Sequence, residues 1–142
     1  MPRTSILLAD DNVAVLDHVR KILENNYEIV GADHDGESVL RDWALLKAAL
    51  IILDISMGDP NGIEVARRLR DSGCNSRIVF LTVHQDPDFV KAALEAGGSA
   101  YVVKSRMWKD LAPAIDAVLS GKHFVSPTTA KIKPEPLRKA TG

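Results

Sequence analysis

Cysteine is almost absent from this chain, which has 142 residues and a single cysteine, Cys74. A lone cysteine cannot form an intramolecular disulfide, so a reducing cytoplasm is the expected location. Long apolar runs are also missing, since none approaches the ~18 residues that a membrane span requires. The first residues lack the apolar segment of a signal peptide. We therefore expect a cytoplasmic protein that has no membrane partner.

An excess of charge of either sign is absent as well. The 18 basic and 19 acidic residues leave a net charge of −1, which argues against a domain that binds nucleic acid mainly by electrostatic attraction. What the chain does have is a high apolar fraction, 46%, beside 26% charged residues. These proportions are typical of a globular domain, and the length suffices for one domain with a full hydrophobic core.

Short apolar runs alternate along the chain with amphipathic segments of helical length. The runs lie at residues 6–9, 28–32, 49–53, 77–82 and 99–103. Because they are apolar throughout rather than at every second position, they predict a parallel sheet covered by helices on both faces. Pro113 falls inside the last helical pattern, so that helix either begins near residues 108–110 or is kinked.

Polar side chains stand at the ends of four of these runs. Asp10 and Asp11 follow the first run and Asp54 follows the third, while Thr82 and Lys104 end the fourth and fifth. The carboxyl ends of parallel strands meet at one edge of a sheet, where such folds bind ligands. Three converging carboxylates repel each other unless a divalent cation joins them, and Mg²⁺ prefers such oxygen ligands. A hydroxyl and an ammonium beside them suit a phosphoryl group.

The positions of the carboxylates favour different roles for them. Asp54 stands alone at the end of the central strand and is the better candidate for a nucleophile that forms an aspartyl phosphate. Asp10 and Asp11 are better suited to hold a metal that lowers the charge barrier to the reaction. An alternative is a Mg-dependent phosphohydrolase with Asp10 as its nucleophile. That class usually has Asp-x-Asp at this point, whereas Asn12 occupies the third position here.

The ordered set of motifs resembles the receiver domain of two-component response regulators. The matching segments are Leu8-Ala9-Asp10-Asp11-Asn12, Leu53-Asp54-Ile55-Ser56-Met57 with Asn61-Gly62, Phe80-Leu81-Thr82, and Gly98-Ser99-Ala100-Tyr101-Val102-Val103-Lys104. Each motif is weak by itself, but the set in this order is specific and covers nearly the whole chain. The resemblance implies a flavodoxin-like, doubly wound (βα)5 fold whose five-stranded parallel sheet has the order 2-1-3-4-5.

The resemblance also implies roles for the acidic residues. Asp54 would accept a phosphoryl group from a sensor histidine kinase or a phosphotransfer protein. Mg²⁺ would be held by Asp11, Asp54 and the backbone carbonyl of Ser56, with Asp10 acting mainly through water. A protein of this kind is a signalling switch and not a turnover enzyme.

Three further residues have implied roles in switching. Thr82 and Lys104 would bind the phosphoryl oxygens, and Tyr101 matches the aromatic residue that changes rotamer on activation. Movement of Thr82 toward the phosphoryl group would then alter the surface formed by the fourth helix, fifth strand and fifth helix, shifting the population between two states.

The segment from residue 98 to Pro127 resembles the subfamily in which a receiver precedes a LuxR-type helix-turn-helix. Only 15 residues follow Pro127, too few for that domain. We expect residues 1–126 to form the receiver and residues 127–142 a linker-like or disordered tail. The natural protein would be a stand-alone receiver or the N-terminal part of a transcription regulator that contacts DNA only through a further domain. A homodimer is a further partner arrangement that the resemblance allows.

Two of the chain's departures from the family pattern lie in the loops after Asp54 and Lys104. Gly58 stands where proline usually follows Met57, which predicts a different shape for the loop after Asp54. Ser105 replaces the common proline after Lys104, and because a non-proline cis peptide is costly, the isomer of this bond stays open. Gly58 and Val83, which is bulkier than the small residue usual beside Thr82, leave a second alternative, a degenerate receiver that acts only as an interaction module. The complete residue set argues against it.

Overall fold

The structure, a computed structural model, describes residues 3–127. The strands are Ser5–Ala9 (β1), Glu28–Asp33 (β2), Leu50–Leu53 (β3), Arg77–Thr82 (β4), Gly98–Val103 (β5) and Phe124–Val125 (β6). The helices are Val13–Leu23 (α1), Gly36–Leu46 (α2), Gly62–Asp71 (α3), Pro87–Glu95 (α4) and Met107–Leu119 (α5). From residue 128 onward, the predicted tail lies outside the described residues.

The strands form one parallel sheet of order β2-β1-β3-β4-β5-β6. The predicted doubly wound fold and the strand order 2-1-3-4-5 are therefore confirmed. The predicted number of five strands was wrong, because β6 pairs with Ala100 and Tyr101 of β5. A strand of two residues shows no periodicity in the sequence. It forms because the edge of β5 offers unpaired backbone groups to the returning chain.

Alternate residues of the strands fill two separate cores. In β1, Ile6 and Leu8 belong to the core under α1 and α5, whereas Leu7 and Ala9 belong to the core under α2, α3 and α4. Since both faces of the sheet are covered, the interior positions of β1, β3 and β4 are all apolar. None of the helices within residues 3–127 combines the length and the apolar character that a membrane span requires.

The local sequence explains both ends of helix α4. The Asp86 side chain accepts a hydrogen bond of 2.8 Å from the backbone N–H of Asp88, and Pro87 occupies the first turn, where its missing N–H costs little. After Glu95 the chain reaches Gly97 with φ of +116°, a left-handed conformation that favours glycine and ends the helix.

Helix α5 begins at Met107, one residue before the predicted range, and follows a 3-10 turn at Lys104–Arg106. Pro113 therefore lies in the helix interior, where it removes the hydrogen bond to the carbonyl of Lys109. The first turn is stabilised by Asp110, whose carboxylate accepts a hydrogen bond of 2.7 Å from Nε of Arg106. Ser126 donates a second bond of 2.7 Å to the same carboxylate, joining the start of α5 to the segment after β6.

Candidate functional site

The backbone register brings the predicted polar residues to one edge of the sheet. Ala9 pairs with Leu53, Leu53 pairs with Phe80, and Thr82 pairs with Val103, so β1, β3, β4 and β5 end at nearly the same height. The residues at or just beyond these ends are Asp10, Asp11, Asp54, Thr82 and Lys104. This edge includes the point between β1 and β3 where the strand order reverses, which is where doubly wound folds bind ligands.

Three carboxylates converge at this edge. One ligand oxygen from each of Asp10, Asp11 and Asp54 lies within 4.8 Å of the others. Asp10 and Asp54 are each only 3% exposed, while Asp11 faces solvent. Two buried carboxylates beside an exposed third form a negatively charged pocket that is open on one side.

The turn between β1 and α1 fixes Asp10. The Asn12 side chain caps α1 by accepting hydrogen bonds of 2.9 and 3.3 Å from the N–H groups of Ala14 and Val15. The N–H of Asn12 in turn donates to Oδ1 of Asp10 at 2.8 Å, and the N–H of Asp10 donates to the carbonyl of Asp33 at 3.0 Å. The helix cap therefore orients the first carboxylate toward the pocket.

A close approach of α3 fixes the backbone around Asp54. The N–H of Gly62 donates to the carbonyl of Ile55 at 2.8 Å, and a Cβ atom at position 62 would overlap the carbonyl oxygen of Asp54. Asn61 caps α3 by accepting a bond of 3.0 Å from the N–H of Glu64. The Asn61-Gly62 pair thus lets the start of α3 contact the strand end that carries Asp54.

Lys104 bridges the two buried carboxylates. Its Nζ lies 2.8 Å from Oδ2 of Asp10, in an ion pair outside hydrogen-bond geometry, and 3.1 Å from Oδ2 of Asp54. Burial raises the pKa of Asp10, although Lys104 favours its charged form. Burial works against the Lys104 ammonium, but the two carboxylates outweigh it and raise the pKa of Lys104. The lysine is therefore a fixed positive charge.

One cation does not satisfy all the oxygens of this pocket. Oδ1 of Asp54 is buried and has no hydrogen-bond partner within residues 3–127. A buried carboxylate oxygen without a partner is costly, and a hard divalent cation is a suitable ligand for it. Within the described part of the chain, the grouping with metal-ligand geometry is that of Asp10, Asp11 and Asp54. Its residues are of the type that Mg²⁺ prefers.

Thr82 and Tyr101 meet at the backbone of His84. Both side chains are fully buried. The N–H of His84 donates a long bond of 3.4 Å to Oγ1 of Thr82, and the Tyr101 hydroxyl donates to the carbonyl of His84 at 2.9 Å. Burial, with a contribution from the Asp54 charge, raises the pKa of Tyr101 well above its ordinary value. Tyr101 is therefore a neutral hydrogen-bond donor in this buried position.

The side chain of His84 forms contacts that the sequence did not predict. Its Nε2 lies 2.6 Å from Oγ of Ser56, and its ring stacks on Phe89 with centroids 4.2 Å apart and planes 17° apart. In the sequence, Ser56 lies two positions after Asp54, and His84 lies two positions after Thr82. That spacing was the available signal, but it does not reveal that the two loops touch.

The two departures from the family pattern have clear structural outcomes. Gly58 has φ of +93°, a left-handed value that proline cannot adopt, so the loop after Asp54 does require a different residue there. The cis peptide bond within residues 3–127 is Asp59-Pro60, and the Lys104-Ser105 bond is trans.

Comparison with known proteins identifies the family. Residues 6–116 match the family described as response regulator receiver domain. The transcriptional regulatory protein DesR of Bacillus subtilis is 31% identical over 125 residues, which cover 87% of this chain and 62% of DesR. The chain spans about three fifths of the length of the curated relatives it matches (62% of DesR and 59% of the response regulator UvrY of Escherichia coli). These relatives are signalling and transcription regulators.

Solved structures agree in fold over nearly the whole chain. A LuxR-family response regulator from Aurantimonas is 32% identical with a TM-score of 0.83, covering 88% of this chain and 91% of that one. The isolated receiver domain of RcsB from Salmonella enterica, determined with the phosphomimetic BeF3−, is 28% identical with a TM-score of 0.82, covering 91% and 97%. The predicted resemblance is confirmed, and the chain belongs to the response regulator receiver family.

Proposed function

We propose that this domain is a phosphorylation-dependent switch and that Asp54 is its phosphoryl acceptor. The observation that carries the proposal is the position of Asp54, which lies among two further carboxylates and the Lys104 ammonium at the ligand-binding edge of the sheet. A nucleophilic carboxylate needs nearby positive charge to approach an anionic phosphoryl group, and Lys104 together with a bound cation would supply it.

The reaction is a transfer between two protein side chains. A carboxylate oxygen of Asp54 forms a bond to phosphorus while the P–N bond of a donor phosphohistidine breaks, and the leaving imidazole takes up a proton. A sensor histidine kinase or a phosphotransfer protein is therefore the proposed donor. The product is an aspartyl phosphate that is later hydrolysed, so the domain acts as a switch whose own residue is modified rather than as a turnover enzyme.

Four groups would hold the metal that this chemistry requires. They are the carboxylates of Asp11 and Asp54, the backbone carbonyl of Ser56, and Asp10 acting mainly through water. Bound Mg²⁺ supplies positive charge that reduces the repulsion between carboxylate and phosphoryl group. The unpaired Oδ1 of Asp54 supports this assignment, because a cation would satisfy it.

Lys104 and Thr82 would bind the phosphoryl oxygens. The ammonium of Lys104 already contacts Asp54, so it lies within reach of a group attached there. The Thr82 hydroxyl oxygen accepts only a long bond from the N–H of His84. Its O–H could donate to a charged phosphoryl oxygen, and this stronger bond would draw Thr82 away from His84. Tyr101, which is bonded to the same His84, is the proposed second switch residue, and the surface of α4, β5 and α5 is the proposed output.

The wider role follows by analogy with the relatives. We propose residues 1–126 as the receiver unit and residues 127–142 as a linker, in a cytoplasmic protein that can form a homodimer. Several relatives are transcriptional regulators longer than this chain. Regulation of transcription through a DNA-binding domain after the linker is therefore the proposed output of the whole protein.

Replacement of the acceptor tests the function directly. With acetyl phosphate and Mg²⁺, the wild-type protein is expected to gain the mass of one phosphoryl group, and Asp54→Asn is expected to gain none. Asp59→Asn, which removes an exposed carboxylate from the neighbouring loop, is the matched control and should be labelled normally. Two outcomes contradict the assignment. One is phosphoryl labelling of Asp54→Asn, and the other is the absence of labelling in a folded wild-type protein.

A further inference from the structure

His84 is the point where four separate parts of the site meet. Its backbone contacts Thr82 and Tyr101, and its ring contacts Ser56 and Phe89. Ser56 belongs to the loop after β3 and Phe89 to the first turn of α4. The imidazole therefore joins the loop after Asp54, the loop after β4 and the start of α4.

We propose that the His84 side chain is a positioning residue for the switch. The Ser56 hydroxyl holds one edge of the ring, and the Phe89 ring covers its face, so the imidazole has a fixed orientation. Because side chain and backbone belong to the same residue, this anchoring fixes the carbonyl of His84 at the place where it accepts the Tyr101 hydroxyl. The ring thus stabilises the buried rotamer of Tyr101 without contacting it.

The same contacts give the phosphoryl site a second connection to Tyr101. Thr82 supplies the first connection, through the N–H of His84, and it responds to the phosphoryl oxygens. Ser56 supplies the second, since it lies two residues after Asp54 in the loop that must adapt when Asp54 is modified. The inference rests on the proposed function in this respect, because it assumes that Asp54 is the residue modified. The anchoring of Tyr101 itself does not depend on phosphorylation.

The environment of Tyr101 can be observed without any phosphoryl donor. The chain contains two tyrosines, so 3-fluorotyrosine incorporation gives two ¹⁹F resonances, which Tyr27→Phe assigns. Tyr27 is an internal control, because its hydroxyl bonds to Asp116 on α5, remote from His84 in the contact network. In His84→Ala we expect the Tyr101 resonance to move toward the value of a solvent-exposed ring, while the Tyr27 resonance stays in place.

Milder variants separate the two anchors of the ring. His84→Phe keeps an aromatic ring on Phe89 but loses the bond to Ser56, whereas His84→Gln keeps a polar group near Ser56 but loses the stacking. We expect each to increase the exposed population of Tyr101 by roughly twofold to tenfold, the factor for one net hydrogen bond. Ser56→Ala should match His84→Phe and add nothing when combined with it. His123→Ala, which removes an exposed imidazole after α5, is the matched control.

Two results overturn the inference. One is an unchanged Tyr101 resonance in both His84→Phe and Ser56→Ala. These two variants preserve most of the packing, so they decide the question if His84→Ala does not fold. The other is full additivity of Ser56→Ala and His84→Phe, since independent effects exclude a shared bond. If the wild-type protein is not labelled by acetyl phosphate but the Tyr101 resonance shifts in the variants as expected, the proposed function is contradicted and the anchoring of Tyr101 by His84 still holds.

Discussion

The ammonium of Lys104 and the proposed divalent cation would draw on the same two carboxylates, Asp10 and Asp54. Lys104 contacts both buried carboxylates, and its positive charge replaces part of what a metal would supply. Burial raises the pKa of Asp10, and the ammonium of Lys104 opposes that effect by favouring the charged form. We therefore expect Lys104 to lower the affinity of the site for Mg²⁺ and to raise the stability of the metal-free protein.

Lys104→Met separates these effects. Removing the ammonium removes repulsion of the incoming cation, so we expect Mg²⁺ to bind about three- to tenfold more tightly by calorimetry. With EDTA present, the two buried carboxylates are left without a counter-charge, and the free energy of unfolding is expected to fall by about 3 kcal/mol. Lys109→Met, at an exposed position on α5, should change neither quantity. Weaker Mg²⁺ binding by Lys104→Met would count against the competition.

Residue positions in the sequence predicted the polar cluster but not the contacts of His84. The cluster was predictable because side chains that end parallel strands must lie at a common edge. The bond between Ser56 and His84 depends on the exact path of two loops, and no periodic pattern specifies that path.

The start of α3 lies so close to β3 that the sequence has no freedom at Gly62. Any side chain there would overlap the carbonyl oxygen of Asp54. The packing of one helix on one strand end therefore restricts the geometry of the acceptor residue. We regard this contact as the main reason why Asn61-Gly62 accompanies Asp54.

Gly62→Ala is expected to lower both stability and phosphorylation. The helix must move away from β3 to admit the methyl group, which should cost about 1–3 kcal/mol of unfolding free energy in urea titrations. The displaced Asp54 backbone should also slow labelling by acetyl phosphate. Gly73→Ala serves as comparison, because Gly73 has φ of +83° but open space around its Cβ position. It should lose stability through backbone strain and keep normal labelling of the folded fraction.

Two carboxyl groups interact between β2 and α2, that of Asp33 at the end of β2 and that of Asp42 on α2. Burial, together with the hydrogen-bonded carboxylate of Asp42, raises the pKa of Asp33 to about 6. The Asp33 group holds a proton in the folded state at pH values where the unfolded chain, with an ordinary aspartate pKa, has lost it. Stability from this group is therefore complete below about pH 4 and declines as the pH rises from about 4 to 6.

Asp42→Asn should weaken that decline, because it removes the contribution of Asp42 to the raised pKa of Asp33 and leaves the contribution of burial. The asparagine amide donates to the Asp33 carboxylate instead of repelling it, and the exposed pair between Arg41 and Asp42 contributes little. We expect the variant to be more stable than wild type at pH 7 and equal to it below about pH 4. Urea titrations at both pH values measure this, with Asp17→Asn on α1 as control. An equal difference at both pH values would exclude Asp33 as the source.

At the level of elements, the sequence predicted five of the strands but missed β6. Phe124 and Val125 are too few to show a strand pattern, and they pair only because β5 has a free edge. The capping pair Asp86-Pro87 was predictable because its effect is local. What the sequence did not specify are contacts between segments that are distant along the chain.

In the molecule as a whole, a buried polar network closes the fold at its C-terminal side. Ser126 donates to the carboxylate of Asp110, receives a bond of 3.2 Å from the N–H of Val103, and its own N–H donates to the carbonyl of Tyr101 at 2.8 Å. Burial works against the charged form of Asp110, but hydrogen bonds from Arg106 and Ser126 outweigh it and lower the pKa of Asp110. One residue thus ties the returning chain to both α5 and β5.

Ser126→Ala is expected to reduce the unfolding free energy by about 1–3 kcal/mol, because Asp110 and the N–H of Val103 lose a buried partner. Asp110 is stabilised in its charged form, so its contribution is present above the ordinary aspartate pKa and is lost as the pH falls through the lowered value. The deficit of the variant should accordingly shrink below pH 4. Ser120→Ala, at an exposed position after α5, is the control, and an equal loss there would contradict the role of the network.

The sixth strand has a practical consequence for the design of biosensors and expression fragments. A fragment cut after Gly121 would leave the outer edge of β5 bare, and an open parallel edge invites intermolecular pairing and precipitation. A fluorescent reporter joined after Pro127 would instead leave β6 paired with that edge. The reporter would also be attached one residue from Ser126, whose N–H donates to the carbonyl of Tyr101 on β5. Cloning boundaries for this receiver therefore belong beyond Pro127.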